Sequence, residues 1–104
     1  MSAFGIGINT QGTESGKIRG IQKEIACDCW FTSTGKTIPR LFKFIDDNGT
    51  LQTVSDIYIE CTENKNYSGI PSIEHTCVVS CVNKVIRVKL IYFKDTSKWI
   101  MTYL

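Results

Sequence analysis

Val85-Ile86-Arg87-Val88-Lys89-Leu90-Ile91-Tyr92-Phe93 decides the fold. The run is rich in β-branched and aromatic side chains and holds no Gly or Pro, which is the composition of a strand. Asn83-Lys84 before it and Lys94-Asp95-Thr96-Ser97 after it are too short to contain a crossover helix, so the neighbouring strands must be antiparallel. Upstream, over residues 72–82, Cys77, Val79 and Cys81 face one way and Val78, Ser80 and Val82 the other. Downstream, residues 98–103 close the chain with a last strand.

The same two-residue period recurs towards the N-terminus. Ile25, Cys27, Cys29 and Phe31 share one face, with Lys23 at its start, and Ala26, Asp28 and Trp30 share the other. Over residues 39–46, Phe42 and Phe44 alternate with Leu41, Lys43 and Ile45. Asp46-Asp47-Asn48-Gly49 is the strongest turn signal. Residues 51–62 resume a strand, with Ile57, Ile59 and Cys61 on one face and Tyr58 opposite. Residues 63–69 read as a longer polar loop, and Pro71 falls where a strand edge tolerates a missing donor. The expectation is a single all-β domain over residues 21–104, a six-stranded, mainly antiparallel meander (22–31, 39–46, 51–62, 72–82, 85–93, 98–103). Its apolar face must be covered by bending the sheet strongly or closing a small SH3- or OB-like barrel; an open edge would otherwise invite a homodimer. Residues 1–20 are Gly-rich and polar and read as a flexible arm, in which Phe4, Ile6 and Ile8 could add an edge strand.

A chain of 104 residues with 42% hydrophobic and 21% charged content has the composition of one globular domain rather than a disordered one. No run reaches the roughly 18 apolar residues of a membrane span, and the first residues lack a basic, then continuously apolar leader, so a cytoplasmic location is expected. A net charge of +2, with basic residues scattered among acidic ones, does not call for a nucleic-acid partner. Lysine outnumbers arginine nine to three and isoleucine is abundant, a bias that points to an AT-rich bacterial or phage genome.

Five cysteines is an odd number, which argues against a disulfide framework. Cys27, Cys29, Cys61, Cys77 and Cys81 with His75 contain enough soft ligands for one zinc ion. Yet Cys27 and Cys29 lie within one strand, and Cys77 and Cys81 are about 13 Å apart along another, so chelation would need a bend. Buried apolar thiols are the simpler account, with no metal and no cofactor. His75, the one histidine, could in principle face Cys77 as a base, but no orienting third group stands at a recognisable spacing, and a surface or edge position is expected for it.

Thr34-Gly35-Lys36-Thr37 echoes the end of a phosphate loop, but Trp30 occupies the place of its first Gly and Pro39 replaces the required helix, so nucleotide hydrolysis is rejected. Asn48-Gly49-Thr50 and Asn66-Tyr67-Ser68 match glycosylation sequons through turn chemistry alone. The hydroxyls and cations of Ser33, Thr34, Lys36 and Arg40 could hold an anionic ligand. Lys65, Asn66 and Tyr67 form a second candidate contact, with Tyr67 expected to be an exposed aromatic in a polar loop. Trp30, Phe31, Tyr58, Tyr92, Trp99 and Tyr103 could stack on bases, although a domain this small must spend most aromatics on its core.

The block from Cys29 to Arg40, with Lys65-Asn66-Tyr67-Ser68-Gly69-Ile70 and Lys89-Leu90-Ile91-Tyr92-Phe93 followed by Lys98-Trp99, resembles small hypothetical proteins of clostridial genomes and mobile elements. The likeness spans residues 25–103. It implies a cytoplasmic bacterial or phage accessory protein with residues 32–40 and 65–70 as contact surfaces, and it carries no activity. The expected function is therefore a non-enzymatic binding module that sequesters or inhibits a protein or a small anionic ligand. A nucleic-acid-binding small barrel and a thiol or metal protein are the alternatives.

Overall fold

The computed structural model describes residues 20–104; the proposed arm, including the edge strand expected at Phe4, Ile6 and Ile8, falls outside the described residues apart from Gly20. Seven strands follow one another, β1 Gln22–Phe31, β2 Thr37–Ile45, β3 Leu51–Val54, β4 Ile57–Tyr67, β5 Ile70–Cys81, β6 Lys84–Phe93 and β7 Lys98–Tyr103. They form one antiparallel sheet in the order β3-β2-β1-β7-β6-β5-β4, curled into a half-barrel. Two meanders, β1-β2-β3 and β4-β5-β6-β7, are thus joined by the pairing of the first strand with the last.

The count is seven rather than six because the expected strand 51–62 breaks at Ser55-Asp56. Its first part pairs with β2, setting Val54 opposite Phe42. Its second part pairs with β5, setting Ile57 opposite Val79. One alternating run therefore serves both halves of the sheet, with a corner between them where Ser80 N–H donates to the Asp56 carbonyl at 3.2 Å. Residues 63–67, expected as loop, continue β4 up to a two-residue hairpin at Ser68-Gly69, both with positive φ. The run Glu63-Asn64-Lys65-Asn66 is polar because it forms an edge strand, whose side chains meet water on both faces at Glu63 and Asn64.

The concave face holds the core. Phe42, Phe44 and Val54 from one meander meet Cys77, Val79, Val88, Leu90, Trp99 and Met101 from the other, and Ile25, Cys27 and Ile59 pack against them. Two bulges adjust the alternation. At Arg40 the β1–β2 register shifts, so that Asp28 pairs with Leu41 and Cys29 with Pro39. At Glu60 the β4–β5 register shifts likewise, so that Ile59 pairs with Cys77 but Cys61 with Thr76. The second bulge turns Cys61 to the convex side, away from Ile57 and Ile59, and leaves it exposed. Thr62 takes the concave position instead, opposite His75.

Candidate functional site

β1 is ten residues long and β7 only six. Gln22 to Ile25 pair with Thr102 to Trp99, after which β7 ends and β1 runs on with β2 alone, Ala26 opposite Lys43 through Phe31 opposite Thr37. The side of Ala26–Phe31 that faces away from β2 therefore carries no paired strand among the described residues. Beside this overhang lies a cleft of about 550 Å³, walled on one side by Glu24, Ala26, Cys27 and Phe31 and on the other by Tyr92, Ser97, Lys98 and Trp99.

Aromatic rings form its wall. Phe31 meets Tyr92 edge-on with centroids 5.6 Å apart, Tyr92 meets Trp99 at 4.9 Å, and Trp99 stacks on the His75 imidazole at 6.0 Å. Glu24 and Lys98 contribute one charge of each sign to the lining. The cleft thus combines an apolar wall, a strand side with no paired strand among the described residues and one pair of opposite charges, the ingredients with which a sheet edge recognises extended polypeptide.

His75 corrects the surface placement expected for it: it has no solvent exposure. Its Nε2 lies 2.8 Å from Thr37 Oγ1 and its Nδ1 2.8 Å from Thr62 Oγ1. A neutral imidazole satisfies both, donating through one nitrogen and accepting through the other. Burial pushes its pKa down to about 4, so the ring is uncharged at pH 7. Cys77, two residues on and on the same face, donates its thiol to the His75 carbonyl at 3.5 Å. Burial, followed by the neighbouring Cys61 and Glu60, pushes this thiol up to about 12. An uncharged ring engaged by two threonines beside a protonated thiol serves as a polar tie inside the core.

The other thiols are not uniformly buried filler. Cys27 is half-buried, and burial followed by Cys29 and Asp28 raises it to about 12. Burial raises Cys29 as well, and Cys61 is exposed. No group of three or more His, Cys, Asp or Glu side chains among the described residues is arranged to hold a metal ion.

The seven residues singled out from the sequence separate into three places. Ser33, Thr34 and Lys36 are exposed on the β1–β2 turn, which is closed by Thr32 N–H to the Lys36 carbonyl at 2.9 Å and by Lys36 N–H to Thr32 Oγ1 at 3.0 Å. Arg40, at the bulge, lays its guanidinium 4.0 Å above the exposed Trp30 ring. Lys65, Asn66 and Tyr67 end β4. Tyr67 is not an exposed loop contact but half-buried, its hydroxyl donating to the buried Glu74 carboxylate, whose other oxygen lies 3.4 Å from Lys89 Nζ. Burial and this bond to Glu74 raise the Tyr67 pKa.

Strand direction puts the β1–β2 and β4–β5 turns at the same end of the sheet, where β1, β4 and β6 finish. None of the seven residues lines the cleft. Of the cleft's residues, the sequence offers Phe31, Tyr92 and Trp99 only as aromatics that could stack on bases, and Ile25 and Cys27 alternate into the apolar face like any core side chain. Their one sequence signal is the unequal length of the first and last strands, which matters only once those strands are known to pair.

Neither a protein-family model, nor a curated protein, nor a solved structure matches this chain.

Proposed function

We propose that this protein is a non-enzymatic interaction module that captures an extended segment of a partner protein in the cleft beside β1, and so sequesters or inhibits that partner. The observation that carries this reading is the overhang Ala26–Phe31, whose side away from β2 has no paired strand among the described residues and borders an aromatic-walled cleft. A peptide laid along β1 gains main-chain hydrogen bonds, and every second side chain reaches Phe31, Tyr92 or Trp99. The test is a random-peptide display selection on the full chain, followed by NMR mapping of the enriched peptides. Shift changes should concentrate on the amides of residues 26–31 and on the Trp99 indole, and Cys27→Trp, which fills the cleft, should weaken binding at least about tenfold. Peptides that map elsewhere, or bind Cys27→Trp equally well, would sink the proposal.

A second reading rests on the exposed Trp30 with Arg40 above it. An outward indole and a cation form a platform for single-stranded nucleic acid. That reading expects salt-dependent oligonucleotide retardation lost in Trp30→Ala; no retardation at low salt removes it.

A further inference from the structure

β4 is one edge of the sheet, eleven residues long, with β5 on one side and, among the described residues, no strand on the other. Beyond its bulge at Glu60, Cys61, Thr62, Glu63 and Asn64 are all exposed, residues of both faces alike. Solvent therefore reaches around the strand at these four residues, while Lys65, Asn66 and Tyr67 are half-buried. Residues 61–67 contain neither bulge nor proline, although long edges of this kind favour pairing with another chain.

The charges on this edge are arranged to fit themselves. Glu63 and Lys65 point to the convex face two residues apart, with Lys65 Nζ 3.7 Å from Glu63 Oε1. When two copies of residues 61–67 meet antiparallel about a two-fold axis at Asn64, Glu63 falls opposite Lys65 of the partner subunit, and Lys65 opposite Glu63 of the partner subunit. Cys61 then faces Tyr67 of the partner subunit, Thr62 faces Asn66 of the partner subunit, and the two copies of Asn64 face each other. Every charge in the run meets its opposite, and no like charges are apposed, as a stable cross-strand pairing requires. Glu60 stays outside the run and keeps its own partner, Arg87, at 2.9 Å.

We propose that the chain self-associates through β4, with residues 61–67 of two copies paired antiparallel about Asn64 into a continuous fourteen-stranded sheet. The surface involved is separate from the β1 cleft, so a dimer keeps both clefts open. A seven-residue strand pair lies at the small end of specific interfaces, and association is expected at about 10–100 µM.

Sedimentation velocity on the full chain tests it. The wild type should pass from monomer to dimer across that range. Glu63→Lys places lysines opposite each other and Lys65→Glu places glutamates opposite each other, so each variant alone should dimerise about 10- to 100-fold more weakly. Mixed in equal amounts the two variants are complementary and should form a heterodimer, and the double variant E63K/K65E should dimerise as the wild type does. Thermal melts confirm that each variant is folded, and the heterodimer and double-variant arms guard against a folding artefact. In a Cys61→Ser background, Asn64→Cys should give a disulfide-linked dimer with diamide, since directly opposed strand residues lie within bridging distance. A wild type that remains monomeric to about 300 µM, or single charge variants that associate as well as the wild type, would overturn the proposal.

Discussion

His75 is held in the core by the hydroxyls of Thr37 and Thr62, which come from the two halves of the sheet. Its placement sets a pH dependence whose direction follows from the shift. The unfolded chain protonates this ring near 6.5, whereas the folded one resists protonation down to about 4. Between those values the unfolded state binds the extra proton. Stability is therefore full above pH 6.5 and falls as pH drops towards 4, by about 3 kcal/mol from this one group. Urea unfolding at pH 7 and pH 4.5 should show that loss, and His75→Gln, which does not titrate, should flatten the slope between them. Equal slopes in the two proteins would refute the assignment. At the same scale, Glu74 shows how a charged side chain survives inside: Tyr67 and Lys89 supply a donor and a countercharge. None of these partnerships is legible in the sequence: Thr37 and Thr62 lie 38 and 13 residues from His75, Tyr67 lies 7 residues from Glu74 across a hairpin, and strand pairing alone brings Lys89 to Glu74.

The hairpins show most clearly how local chemistry and the sheet can disagree. Asp46 to Thr50 folds as its residues ask: Asp46 Oδ1 accepts from the backbone N–H of Asn48 and of Thr50 at 2.9 Å, and Gly49 takes the positive φ. The β5–β6 turn does not. It places Val82 and Asn83 at φ 50 and 59, the pair of left-handed residues of a type I′ turn. Asparagine tolerates that conformation, but a β-branched valine is strained there. Long pairing on both sides, Cys81 with Lys84 through Ser72 with Phe93, holds the turn in place against its own preference. Val82 is exposed, so Val82→Asn releases the strain without touching the core. It should raise stability by about 1 kcal/mol, read as a higher urea midpoint at unchanged slope; a lower midpoint would show that the valine is not strained. The polar stretch 63–67 teaches the reverse lesson. Its composition reads as loop, and only the Ser68-Gly69 dipeptide after it signals a tight hairpin that draws the stretch into β4.

Across the whole molecule, the two meanders are held together by one core and by the pairing of β1 with β7. Phe42 stands at the join, fully buried, opposite both Cys27 and Val54 and 6.0 Å from the Phe44 ring. Phe42→Ala should cost about 3–5 kcal/mol, and because both halves share that core, tryptophan fluorescence and far-UV circular dichroism should report one coincident transition. Separate transitions would mean that the meanders fold independently. The all-β class, the strand positions and the apolar face were written in the two-residue alternation, since a pleated backbone sends successive side chains to opposite sides wherever the chain lies. The bulges at Arg40 and Glu60, the buried histidine and the cleft beside β1 were decided by tertiary structure alone. Each depends on which strand lies next to which and on how far each extends past its neighbour, and those relations join residues far apart in the chain through backbone hydrogen bonds that every residue type but proline can make equally.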